Sequence, residues 1–155
     1  MDNSGKYDNN PMLTGEYKHS IDAKRRLAVP AKFRRELGSG AIITKGLDNC
    51  LFVFSKKQWP EFAEKLGRMP LGLKDNRAFV RLFLASAVEV DFDGLGRILL
   101  PDTLRGYASL KKEAVITGVF NRLEIWDEKI WNTYRDNLEK NSDKIAEKLG
   151  ELGII

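Results

Sequence analysis

One cysteine and one histidine stand among 155 residues. A single thiol cannot close a disulfide within the chain, and with no second cysteine or histidine the usual zinc sites are excluded. Cys50 lies in the apolar run Cys50-Leu51-Phe52-Val53-Phe54 and reads as a small core residue. His19 stands alone in a strand pattern and reads as structural. No apolar run approaches the ~20 residues that span a bilayer. Also absent are a Ser/His/Asp or Cys/His set, a catalytic carboxylate pair and a glycine-rich phosphate loop. The expectation is a protein without catalysis, metal, cofactor, membrane partner or small-molecule ligand. Residues 1–11, MDNSGKYDNNP, have no apolar stretch of the kind a secretory signal needs. They read as a disordered extension, and the whole as cytoplasmic. Apolar residues at 43% and charged ones at 31% are an ordinary balance for a packed domain. The net charge of +4 is too small to name a partner, so the distribution of charge has to do so.

The distribution centres on Ile21–Leu37, IDAKRRLAVPAKFRREL. Asp22 and Arg26 stand four apart across a polar turn. Leu27-Ala28-Val29 is a short strand, and Pro30 suits the start of a helix, where its missing N–H is no loss. The helix Ala31–Leu37 carries Lys32, Arg34 and Arg35. The same grammar returns in Asp91–Ala108, DFDGLGRILLPDTLRGYA, with Asp93, Arg97, Pro101 and Arg105 in the places of Asp22, Arg26, Pro30 and Arg34. Further on, Gly46–Trp59 matches Gly118–Trp131. Two copies in register predict a duplicated module.

In order, Gly15–Ile21 predicts a strand, Ala41–Thr44 and Cys50–Phe54 a core hairpin, and Lys56–Gly67 a helix capped by Ser55. Asp75–Ala85 predicts a second linking helix through Ala78, Phe79, Leu82 and Phe83. The second copy predicts strands at Ala87–Asp91, Ile98–Leu100, Ala114–Thr117 and Leu123–Trp126, with a turn at Gly118–Arg122. Asp127 caps a last helix, Glu128–Leu149. The organisation is a first repeat at 15–59, linking helices at 60–86, a second repeat at 87–131 and a C-terminal helix at 132–155.

The start GEYKHSIDAK, the paired D-x-x-x-R turns, ITKGLDNCLFVF, DNRAFVRLF and VITGVFNRLEIWDEKIW together resemble the MraZ family of bacterial regulators. The resemblance spans about Met12 to Trp131. It implies an α+β fold: a duplicated SpoVT-AbrB-like β-barrel of swapped hairpins, with helices linking and following the repeats. It further implies a ring-shaped homo-oligomer on the nucleoid. That ring would bind tandem short repeats of double-stranded promoter DNA and repress its own division and cell-wall gene cluster. The sequence departs from the family at Arg25, where glycine is usual and where the second copy has Gly96.

The two copies differ sharply in charge. From Lys18 to Glu36 the bases Lys18, Lys24, Arg25, Arg26, Lys32, Arg34 and Arg35 face two acids, a net of +5. The matching stretch Glu89–Tyr107 has Arg97 and Arg105 against four acids, a net of −2. A polyanion is attracted to the first and repelled by the second. The expected DNA contacts are therefore Lys24, Arg25 and Arg26, with Arg26 foremost as a base reader, since arginine can pair with guanine O6 and N7. Lys18, Lys32, Arg34 and Arg35 are weaker candidates for the backbone, while Asp22–Arg26 and Asp93–Arg97 are structural motif pairs. The alternative reading is an AbrB-type antitoxin or protein-interaction module.

Overall fold

Each Asp-x-x-x-Arg turn takes the chain out of one sheet and into another, and the architecture follows from that detour. The computed structural model describes residues 12–155; the expected disordered extension, 1–11, lies outside the described residues. The chain opens with β1 (Leu13–Ser20), β2 (Arg26–Ala28), α1 (Ala31–Leu37), β3 (Gly40–Lys45) and β4 (Leu51–Ser55). Two helices follow, α2 (Trp59–Gly67) and α3 (Lys74–Leu84). The second copy supplies β5 (Val88–Asp91), β6 (Arg97–Leu99), α4 (Asp102–Tyr107), β7 (Glu113–Phe120) and β8 (Leu123–Asp127). Last come α5 (Glu128–Lys140) and α6 (Ser142–Glu151).

The main sheet is antiparallel, in the order β1-β7-β8-β4-β3-β5, and β2 pairs with β6 in a separate ribbon. The repeats exchange strands. β1 of the first lies on β7 of the second, from Leu13↔Phe120 to Ser20↔Glu113. β5 of the second lies on β3 of the first, from Gly40↔Asp91 to Ile43↔Val88. The register is symmetric. In the ribbon Leu27 faces Ile98, flanked by Arg26↔Leu99 and Ala28↔Arg97. In the main sheet Phe52 faces Glu124, flanked by Leu51↔Ile125 and Val53↔Leu123. A pseudo-twofold axis through those two central pairs exchanges the repeats. The closed barrel expected from the sequence is not observed. The main sheet ends at β1 and β5, and the strand after each turn pairs with its counterpart strand, β2 with β6, instead of sealing that sheet. One bridge, Ile21↔Leu27, ties ribbon to sheet.

The run Leu51–Ser55 is buried throughout because both faces of its strand are covered. Leu51 and Val53 face a core with Leu27, Phe33, Ile98, Leu104 and Ile116. Phe52 and Phe54 face an aromatic core with Phe83 and Trp126, against which Trp59, Phe62 and Trp131 pack. Cys50 is buried in this second core, and burial drives its thiol pKa upward, so it is an inert apolar group. The Thr44 hydroxyl donates to the Phe83 carbonyl at 2.5 Å and the Tyr107 hydroxyl to that of Gly46 at 2.6 Å, fixing α3 and α4 to the sheet.

Four local expectations change. The Ser55 hydroxyl accepts from the Gln58 N–H at 3.0 Å, but it caps a turn; α2 starts only at Trp59, because Pro60 cannot donate into a helix begun at Lys56. On α3, Phe83 is buried and Leu82 half-buried, while Ala78 and Phe79 are exposed. The expected turn at Gly118–Arg122 is strand as far as Phe120, because β1 runs alongside to Leu13. Gly118 permits this approach: a Cβ there would lie 2.6 Å from the Thr14 nitrogen. The C-terminal helix is two helices. The Asn141 side chain donates to the Asn137 carbonyl at 2.8 Å, a local bond that competes with helix continuation. Asp127 does cap α5, accepting from the Lys129 N–H at 3.2 Å.

Candidate nucleic-acid interface

The first turn is built by its aspartate. Asp22 Oδ1 accepts the backbone N–H groups of Lys24 and Arg26, each at 2.9 Å, and Oδ2 accepts from Arg26 Nε at 2.8 Å. Asp93 does the same with the N–H groups of Leu95 and Arg97 at 2.9 Å and with Arg97 Nε at 2.8 Å. Each pair thus forms within its own turn. The turns are also tied across the axis, by the Val29 N–H to Gly96 O and the Leu100 N–H to Arg25 O, both at 3.0 Å.

They differ in what the arginine tips do. Arg97 Nη1 reaches Asp22 Oδ2 at 3.8 Å, so Arg97 touches both aspartates. Arg26 spends only Nε, and among the described residues its two Nη groups have no ion-pair or hydrogen-bond partner. A guanidinium anchored through Nε with a free terminal fork is suited to bidentate bonding.

The Arg26 backbone N–H, with lesser help from its guanidinium and the Lys24 N–H, holds the Asp22 carboxyl below the usual carboxylate range. The Arg97 backbone N–H does so first for Asp93. A depressed native pKa means that the unfolded chain binds more protons, so stability rises with pH through this window. Both turns contribute fully above the ordinary aspartate pKa of about 4 and lose that contribution as pH falls through the lowered native values. Asp22→Asn/Asp93→Asn should flatten the stability–pH curve below about pH 4 in acid melts. A curve as steep as the parent's would place the acid sensitivity elsewhere.

Arg25 adopts φ 66°, matching Gly96 at φ 76°, so the first turn has the same left-handed shape despite the substitution. Arg25→Gly should raise stability by a few tenths to ~1 kcal/mol and weaken DNA binding at low salt. Denaturant titration showing a loss of stability would mean that the Arg25 side chain holds the turn.

The remaining candidates scatter. Lys24 and Arg35 are exposed and carry no ion pair among the described residues. Lys32 Nζ donates to the Thr14 carbonyl at 3.3 Å. Arg34 Nε donates to the Val29 carbonyl at 3.0 Å, and its guanidinium lies over Gly96 of the other turn. Lys18 is paired with Glu128 of α5 at 3.1 Å. Across the axis the same pair recurs with its signs reversed, Glu89 with Lys56 at 2.8 Å. Lys18 and Glu89 thus contribute to the sequence contrast in charge while each is answered locally. Sequence reasoning missed Asp102, which bonds both Arg25 Nη1 and Arg105 Nη2. It also passed over Lys111 and Lys112, which line an open depression of about 430 Å³ with Arg25 and Arg105. Their adjacency in the sequence was the available signal, but they fall outside the matched windows.

The described residues contain no cluster of metal-ligand side chains and no helix long and apolar enough to cross a membrane. The family model for MraZ protein, described as antitoxin-like, matches the chain twice, at residues 12–82 and 83–151. A transcriptional regulator MraZ from Thermoanaerobacter pseudethanolicus is 50% identical over 143 residues, 92% of this chain and 100% of that protein. One from Caldicellulosiruptor saccharolyticus is 52% identical over 143 residues, with the same coverage. One from Carboxydothermus hydrogenoformans is 51% identical over 138 residues, 89% of this chain and 96% of that protein.

Proposed function

Since this chain belongs to the MraZ family, we propose that it is a sequence-specific DNA-binding regulator of transcription that represses its own division and cell-wall gene cluster from the nucleoid. The observation that carries this reading is the contrast between two turns of one construction. Each is an aspartate-built turn with a half-buried arginine, but only the first stands among Lys24, Arg25 and Arg35 and presents a free guanidinium fork. Arg26 reads base edges, while Lys24 and Arg25 engage phosphates beside it. Arg35, Lys32, Arg34 and Lys18 rank behind them in that order of availability. The exchange of β1 and β5 between repeats supports reading the unit as the single-chain form of a swapped-hairpin module.

Assembly into a ring is part of the same reading. Leu71, Leu73, Phe79 and Val88, around α3, are exposed, and α5 and α6 bury no residue of their own. Such apolar surface is what subunit contacts cover. A ring carrying many copies of one weak site would select tandem repeats by spacing, through effective concentration.

The test is titration of the duplex upstream of the protein's own gene across a salt series. Affinity should fall steeply with salt, each neutralised phosphate releasing about one counterion. A flat response would remove this surface from consideration. Light scattering that returns a stable monomer at micromolar concentration would remove the ring. The antitoxin-like description of the matching family supports a second reading, capture of a partner protein. The same titration with and without a candidate partner separates the two.

A further inference from the structure

The depression lined by Lys111 and Lys112 lies where the two repeats meet. Arg25 comes from the first turn, Arg105 from α4, and the two lysines from the link just before β7. The Ile21 N–H donates to the Lys112 carbonyl at 2.7 Å, and the Lys111 N–H donates to Asp127 Oδ1 at 3.3 Å, so the backbone beneath both lysines is held. Both lysines are exposed, and neither side chain has an ion pair among the described residues. The acid on the rim, Asp22, is already engaged by two backbone N–H groups and Arg26.

The pseudo-twofold axis supplies an internal control. The counterparts of Arg25, Arg105, Lys111 and Lys112 are Gly96, Arg34, Gly38 and Ser39, since the register sets Gly40 in the place of Glu113. One side of the axis therefore concentrates four cations where the other keeps one. The fold itself does not require this charge, since the same turn is built without it. What makes the concentration tolerable is Asp102, the carboxylate shared by Arg25 and Arg105. Its counterpart in the first repeat is Ala31, beside Arg34. Asp102 is exposed and accepts no backbone N–H among the described residues, so its holds there are the two arginines.

We propose that Arg25, Arg105, Lys111 and Lys112 form a phosphate seat shared by both repeats, and that Asp102 is an internal carboxylate which an incoming phosphate displaces. A dianionic or diester oxygen set satisfies two guanidinium forks and two ammonium groups better than one carboxylate does. The second repeat, acidic as a whole, thereby contributes to an anion site. For the source of the phosphate this rests on the DNA-binding reading; for its chemistry it does not.

The experiment uses the full chain, a mixed-sequence duplex and inorganic pyrophosphate. Lys111→Gln/Lys112→Gln should keep the parent melting temperature and make the log–log salt slope of duplex binding shallower by about two. Asp102→Asn should tighten duplex binding about two- to fivefold by releasing both arginines. Calorimetry with pyrophosphate should show binding to the parent that the double lysine variant loses. A response of the duplex alone identifies backbone phosphodiesters as the ligand, and a response of pyrophosphate alone identifies a free phosphate compound. An unchanged salt slope together with unchanged pyrophosphate heat overturns the seat. Weaker binding by Asp102→Asn overturns the displacement. If the parent binds no duplex at all, the DNA reading fails, and the pyrophosphate arm still decides the seat.

Discussion

Arg26→Ala is expected to cost ~1–3 kcal/mol of specific affinity for each base pair no longer read, multiplied over the subunits engaged, while folding stays near normal. Arg97→Ala is expected to do the reverse. The two arginines hold the same Nε bond to the same kind of aspartate, at 2.8 Å in each case. A purely structural account therefore expects equal consequences. The difference lies beyond Nε. Arg97 also reaches Asp22, so its removal leaves two carboxylates without that cation and loosens the link between the turns. Arg26 has its fork free, and its removal leaves Asp22 with two backbone N–H bonds and the nearby Arg97. Paired melting curves and paired titrations on the upstream duplex decide the matter. Equal damage to binding from both variants, with both proteins intact, would place DNA on both turns alike.

The largest effect on stability is expected where the axis passes through the ribbon. Leu27 and Ile98 face each other there, fully enclosed in the core on which both repeats depend. Leu27→Ala and Ile98→Ala should each cost ~2–5 kcal/mol, a large fraction of the 5–15 kcal/mol that holds an ordinary domain. The two losses should be similar, because the axis makes their surroundings similar. The double variant should lose less than the two together, because the side chains touch one cavity. Denaturant titrations measure all three. A single variant losing under ~1 kcal/mol would mean that the ribbon is not packed as tightly as the burial of these residues implies.

How far residue patterns reach is visible in particular elements. The duplication, the two aspartate turns, the short basic helix after Pro30 and the β3–β4 hairpin were all legible, because each depends on neighbours within a few residues. A carboxylate that bonds its own backbone two and four residues on builds the same turn wherever it occurs. Legibility ended where an element's fate depends on a distant partner. Local residues predict a turn at the end of β7, because nothing near Gly118 reveals that β1 will lie beside it. Helical spacing continues across Asn141 and predicts one helix where the structure has two.

The candidate site shows the same division in its charges. By itself the sequence determined that one turn is basic and its twin acidic, since composition over a matched window needs no coordinates. Only the tertiary structure decided which charges remain available. Lys18 is answered by Glu128, Arg25 by Asp102 and Arg97 by two aspartates, while Lys24 and the fork of Arg26 are left unpaired among the described residues. The physical reason is range. A turn is shaped by bonds between near neighbours, but a side chain's free valence depends on whatever charge the fold brings within a few ångströms, from 77 residues away in the case of Arg25 and Asp102.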